Sequence, residues 1–175
     1  AIIRGPSSGV GWLPATAALG LIRVMSLIKG DRYRSSAVQK MVFGSYNKRL
    51  VDPATDSDWI SSDPETVKKY VADPMCTFTF TLSGFRNLLQ VLRSVSSPQW
   101  ARQVPQDLPI FIVSGEEDPV GSYGRGPAKV RERLLRAGVQ DVTLKLYSEY
   151  RHEPLNEVGR EQVYEDLYYW MESKL

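Results

Sequence analysis

The stretch "PIFIVSGEEDPVG", Pro109 to Gly121, decides how the chain folds. Its first half is an unbroken apolar run bounded by a proline and a glycine. With no polar residue alternating among Ile110, Phe111, Ile112 and Val113, both faces of such a strand need cover, which is the pattern of a buried parallel strand. Its second half is acidic. Asp118 comes three residues after Gly115 and is followed by Pro119, which stiffens the loop directly behind it. Next, "GPAKVRERLLRAG" reads as a helix, with Pro127 near its start and Gly138 at its end. "VTLKLY" then alternates Val142, Leu144 and Leu146 against Thr143, Lys145 and Tyr147, a second strand. "REQVYEDLYYWMESKL" closes the chain as a helix with Val163, Leu167, Trp170 and Met171 on one face. The order is β, α, β, loop, α, and a right-handed crossover makes the two strands parallel.

Parallel strands bring their carboxyl ends to one edge of the sheet, where open α/β sheets bind ligands. The loop "GEEDPVG" presents Asp118 at that edge, and the loop "SEYRHEPLNE" presents His152, five residues after Tyr147 and the only histidine in the chain. The segment between them has about the length of one β-α-β unit, so an acid and a base emerge side by side. An imidazole removes a proton from a serine hydroxyl when a carboxylate accepting from Nδ1–H holds it in the right tautomer. Asp118 would orient and His152 would act as base. Glu116 and Glu117 compete for the orienting role. Arg151, Glu153, Asn156 and Glu157 flank His152 and either buttress its loop or are solvated. The plainer alternative is a surface histidine beside acidic loops that cap helices.

Upstream, "AIIRG" reads as a short buried strand, followed by a glycine-rich turn through Trp12. The five residues "GPSSG", Gly5 to Gly9, spell the nucleophile pattern G-x-S-x-G with Ser7 at its centre. A nucleophile elbow needs a helix that starts at once, yet Gly9, Gly11 and Pro14 follow. Each glycine inside a helix costs roughly 1 kcal/mol and a proline about 3 kcal/mol or more. A helix beginning at Pro14 and ending near Gly30 avoids the conflict, so Ser7 belongs to a turn. The apolar residues of that helix, Ala18, Leu21, Ile22, Met25 and Ile28 with Leu19 and Leu27 beside them, spread so widely that it should be mostly covered. From Asp31 to Gln106 the chain holds the short helical segments "SSAVQKMVF", "PETVKKYVA" and "SGFRNLLQVLRSV", separated by Asp-Pro and serine-rich turns. The one strand-like alternation there is "TFTFT".

Composition bounds the function. The 175 residues suffice for one sizeable core, and a net charge of +2 points to no nucleic acid or other polyanion. Lys29, Arg32 and Arg34 around Asp31 read as a solvated loop. Cys76 is the single cysteine, which rules out an intrachain disulfide, fits a small buried apolar role and suits a reducing, cytoplasmic compartment. One histidine excludes multi-histidine metal sites. No apolar run nears the roughly 20 residues of a transmembrane helix, so a soluble chain is expected.

The run from "IFIVSGEEDPVG" to "LYSEYRHEPLNE" closely resembles the C-terminal part of lysophospholipase-like and monoacylglycerol-lipase-like α/β-hydrolases of the bacterial type. The similarity continues upstream through "FGSYNKRL", "SDWISSD" and "DPMCTFTFT". The resemblance implies that Asp118 is the triad acid and His152 the triad histidine. It implies an α/β chain, the C-terminal part of an α/β-hydrolase fold with a helical lid insertion. Residues 1–13 would be a core strand and the turn into the lid, 14–106 the lid, and 107–175 the core carrying both loops. It also implies that "AIIRGPSSG" corresponds to the sixth strand, downstream of a G-H-S-M-G elbow that is missing here. The activity implied is hydrolysis of a carboxylic ester, a lysophospholipid or monoacylglycerol-like lipid, through an acyl-enzyme with no metal or cofactor. Leu21, Ile22 and Met25 would line the acyl pocket or simply fill a core. The partners implied are a small lipid ester and either the missing N-terminal half or a second copy. The competing expectation is a non-catalytic fragment or degenerate homologue that acts by association.

Overall fold

The structure, a computed structural model, describes residues 1–7, 9 and 12–175, without the side chains of Trp12, Leu13 and Ser96. Among the described residues, three parallel strands, β1 (Ile2–Arg4), β2 (Ile110–Gly115) and β3 (Val142–Tyr147), form a sheet in that order. Ile2 is in register with Phe111, and Ile112 with Leu144. Every residue of β2 is buried, because it is hydrogen-bonded on both edges and covered on both faces. Its side chains alternate between two clusters, as strand geometry demands. Ile110 and Ile112 pack with Val130 and Leu134 of helix α5 (Arg125–Arg136), whereas Phe111 and Val113 pack with Val163 of helix α6 (Arg160–Glu172).

The residues ahead of β2 form helices α1 (Trp12–Lys29), α2 (Ser36–Phe43), α3 (Pro64–Ala72) and α4 (Leu82–Ser96), with a 3-10 turn at Asp58–Ile60 and another at Pro98–Gln103. Helices α2, α3 and α4 are capped at their starts: Ser35, Asp63 and Thr81 accept backbone N–H bonds from Val38, Glu65 and Gly84. Ile22, Val38, Leu82, Phe85 and Leu89 make a core of their own, separate from the sheet. None of the helices among the described residues is long and apolar enough to cross a membrane.

Several expectations need correction. β1 is an edge strand and not a buried one: Ile2 is 44% exposed, because among the described residues only β2 pairs with it. Helix α1 starts at Trp12, two residues before Pro14; the first-turn N–H groups have no intrahelical acceptor, so a proline there breaks no bond. The expected glycine turn at Val10 and Gly11 lies outside the described residues. Nor is α1 mostly covered. Ile22 is wholly buried and Met25 packs against it, but Leu27 and Ile28 are 82% and 72% exposed, because α4 covers only one arc of the helix. Ile22 is therefore core. "TFTFT" makes no strand, only an isolated bridge between Arg34 and Thr81, since Thr81 is already engaged as the cap of α4. Cys76 is part-exposed instead of buried. On β3 the supposedly outward Tyr147 is buried under α6, its hydroxyl donating to Asp166 at 2.7 Å, while Met171 lies outside the packed arc of α6.

Candidate active site

The two loops predicted to meet at the carboxyl edge do so, and the backbone explains how. Glu116 N–H donates to the carbonyl of Tyr147 and Glu117 N–H to that of Tyr150, both at 2.9 Å, lashing the end of β2 to the loop after β3. Gly115 admits this approach. A Cβ there would lie 2.0 Å from the Tyr150 carbonyl oxygen and 2.2 Å from that of Arg151, so no side chain fits. The next turn carries Asp118 inward, where it is 0% exposed, while Glu116 and Glu117 stay at the surface. Of the three acids, only Asp118 reaches His152.

Asp118 Oδ1 accepts the Val120 N–H at 2.8 Å, which fixes the carboxylate plane. His152 Nδ1 stands 3.1 Å from each carboxylate oxygen. With Nδ1–H donating to Asp118, Nε2 keeps its lone pair and is the proton-accepting end of the ring. The imidazole is 26% exposed, so the pair is buried at the acid and open at the base. Gly5, at the end of β1, completes the wall. Its N–H donates to the Val113 carbonyl at 2.9 Å, its φ is +50°, and a Cβ there would sit 3.4 Å from Asp118 Oδ2 and from His152 Nδ1.

Two aromatic residues not singled out from the sequence join the site. The Trp59 ring lies 5.4 Å from the His152 ring, and Tyr46 packs edge-on against Trp59 at 4.9 Å. Burial pushes the Tyr46 phenol up from its ordinary pKa, and the negative charge of Asp118 adds to the effect. Tyr46 sits in a turn and Trp59 in the 3-10 turn Asp58–Ile60; both fall within the quoted segments "FGSYNKRL" and "SDWISSD", but no periodicity marks them for the site. The flanking residues divide. Glu157 is buried and Arg151 bonds through Nη1 to the carbonyls of Asp58 and Ser61, whereas Asn156 is exposed and donates to Glu153 Oε2. Ser7 is occupied differently: its Oγ accepts the Gly9 N–H at 3.1 Å, and Gly9 itself is non-helical at φ +90°. Among the described residues no group of histidine, cysteine, aspartate and glutamate side chains is placed to hold a metal.

Comparison with known proteins places this geometry. Residues 13–159 match the sequence profile of the family described as serine aminopeptidase, S33. Over 125 residues the chain is 34% identical to a monoacylglycerol lipase of Mycolicibacterium smegmatis, covering 69% of this chain and 40% of that protein. The structure of a highly thermostable carboxyl esterase from Bacillus coagulans, in complex with glycerol, superposes with a TM-score of 0.85 at 29% identity, covering 98% of this chain and 56% of that one. A lipase in its open form superposes with a TM-score of 0.71 at 23% identity, over 92% and 51% of the two chains, which supports the fold. The chain thus spans between 40% and 56% of the length of these relatives. The match over residues 13–159 shows that this chain belongs to the serine aminopeptidase S33 family, and its parallel sheet flanked by helices, superposing on the carboxyl esterase, carries part of an α/β-hydrolase fold.

Proposed function

We propose that this chain supplies the acid and the base of a serine esterase that cleaves lipid monoesters of the monoacylglycerol or lysophospholipid type. The observation that carries it is the Asp118–His152 pair: a fully buried carboxylate holding Nδ1 at 3.1 Å, with the imidazole itself partly exposed. His152 Nε2 takes the proton of a serine hydroxyl as its oxygen attacks the ester carbonyl. Asp118 stabilises the imidazolium. The ring then passes the proton to the leaving alkoxide, and a water activated by the same nitrogen releases the acid from the acyl-enzyme. The nucleophilic serine comes from outside residues 1–175: GPSSG is the one G-x-S-x-G in the chain, and Gly9, at φ +90°, is not helical where the helix of an elbow would run. Residues 14–106 serve as the lid over the site, a role supported by the contact of Trp59 with His152.

A second possibility, association without chemistry of its own, is favoured by one observation: β1 has a free edge among the described residues. Activity separates the two. In the full-length protein assayed on a monoacylglycerol, His152→Ala and Asp118→Asn are each expected to lower kcat by about 10³-fold or more. Activity of His152→Ala equal to that of wild type would refute the esterase mechanism.

A further inference from the structure

We propose that Glu157 is a positioning residue for His152, acting as a clamp that fixes the histidine loop and the segment packed over it as one unit. Glu157 is 1% exposed. Its Oε1 accepts the Arg151 N–H at 2.7 Å, directly beside His152 in the chain. Its Oε2 accepts the Ser62 N–H at 2.8 Å and the Ser62 hydroxyl at 2.5 Å, and the Ser61 hydroxyl lies 3.0 Å away. One carboxylate therefore grips both sides of a seam. Along that seam Glu153 N–H donates to the Ile60 carbonyl at 2.8 Å, His152 N–H reaches the Trp59 carbonyl at 3.4 Å, and Arg151 Nη1 bonds the carbonyls of Asp58 and Ser61 at 2.6 and 2.9 Å. Trp59, held by this seam, is the residue whose ring packs on the imidazole. Asp118 fixes only one nitrogen of the ring. The clamp fixes the backbone that carries the ring and the aromatic wall beside it.

A carboxylate suits this position because the Arg151 and Ser62 N–H groups facing it can only donate and the Ser62 hydroxyl donates to it as well, while the Ser61 hydroxyl proton is shared with the Asn156 carbonyl, also 3.0 Å away. Glutamine keeps the shape but turns one acceptor into an NH2 group against those donors, leaving a buried N–H or hydroxyl unpaired. The inference rests on His152 being the base, so the experiment reads the ring as well as the activity. In the full-length protein, p-nitrophenyl butyrate hydrolysis and the downfield Nδ1–H proton resonance, identified by its absence in His152→Ala, are followed in wild type and Glu157→Gln below the melting temperature of both. The expected result is a kcat lowered about 10- to 100-fold, a KM within about threefold, and an Nδ1–H signal broadened or lost. A kcat within about twofold of wild type together with an unchanged signal overturns the proposal. If His152→Ala is itself fully active, the esterase mechanism fails and the resonance alone decides whether Glu157 positions the ring. Should Glu157→Gln not fold, Ser62→Ala removes one donor and leaves the carboxylate. It is expected to lower kcat at least about threefold and to broaden the signal, and no change in either overturns the proposal.

Discussion

At the scale of single residues, the site depends on small groups as much as on chemical ones. Gly5 adopts φ +50° beside both Asp118 and His152, a conformation that costs an L-residue about 1–2 kcal/mol. A methyl added there would meet its neighbours at ordinary contact distance, so Gly5→Ala is expected to lower unfolding free energy by about that amount in urea denaturation while leaving kcat nearly unchanged. A stability equal to wild type would show that the turn relaxes. The meeting of Asp118 and His152 is legible in the sequence alone, since each follows a recognisable strand by a few residues and the parallel crossover brings strand ends together. Trp59, Tyr46 and the clamp made by Glu157 are not. Glu157 meets Ser61 and Ser62 across about 95 positions, and no local pattern encodes a contact between two irregular segments.

At the scale of elements, β2 is readable because its apolar run has one physical outcome, burial on both faces, and the helices because their caps and periodicity agree. Sequence patterns mislead where burial depends on what lies alongside. α1 is apolar nearly all round yet covered on one arc, and β1 has the composition of a buried strand at the edge of a sheet. Tyr147 keeps the alternation of β3, pointing away from Val142 and Leu144, but its face is covered by α6, where its hydroxyl finds a partner. That partner, Asp166, gives a pH prediction. Burial raises its carboxyl pKa, but hydrogen bonds from Lys145 and Tyr147, with the charge of Lys145, outweigh it and hold the group below the usual carboxylate range. A pKa lower in the folded than in the unfolded chain stabilises above the unfolded value of about 3.9, and this contribution is lost as pH falls through the folded value. The melting-temperature gap between wild type and Asp166→Asn should therefore be wide at pH 6 and narrow toward pH 3. A gap independent of pH would mean that Asp166 acts through shape alone.

At the scale of the whole molecule, the sheet region, with an apolar cluster on each face, meets the helical region, whose own core lies among α1, α2 and α4. Their junction runs through the contacts of Trp59 and Ser61–Ser62 with the histidine loop and of Arg49, whose guanidinium lies 3.6 Å over the Tyr123 ring, with the loop after Asp118. This arrangement makes the helical region part of the frame around Asp118 and His152. Family membership and fold follow from the match over residues 13–159 and from the superposition on the carboxyl esterase. The catalytic assignment goes further, and one measurement tests it most directly. The full-length protein is treated with a fluorophosphonate, as wild type and as His152→Ala, and the adduct is mapped by peptide mass spectrometry. The account predicts a covalent adduct on a serine outside residues 1–175, formed at a rate that collapses when His152 is removed. An adduct on Ser7, or labelling as fast in His152→Ala as in wild type, would contradict it.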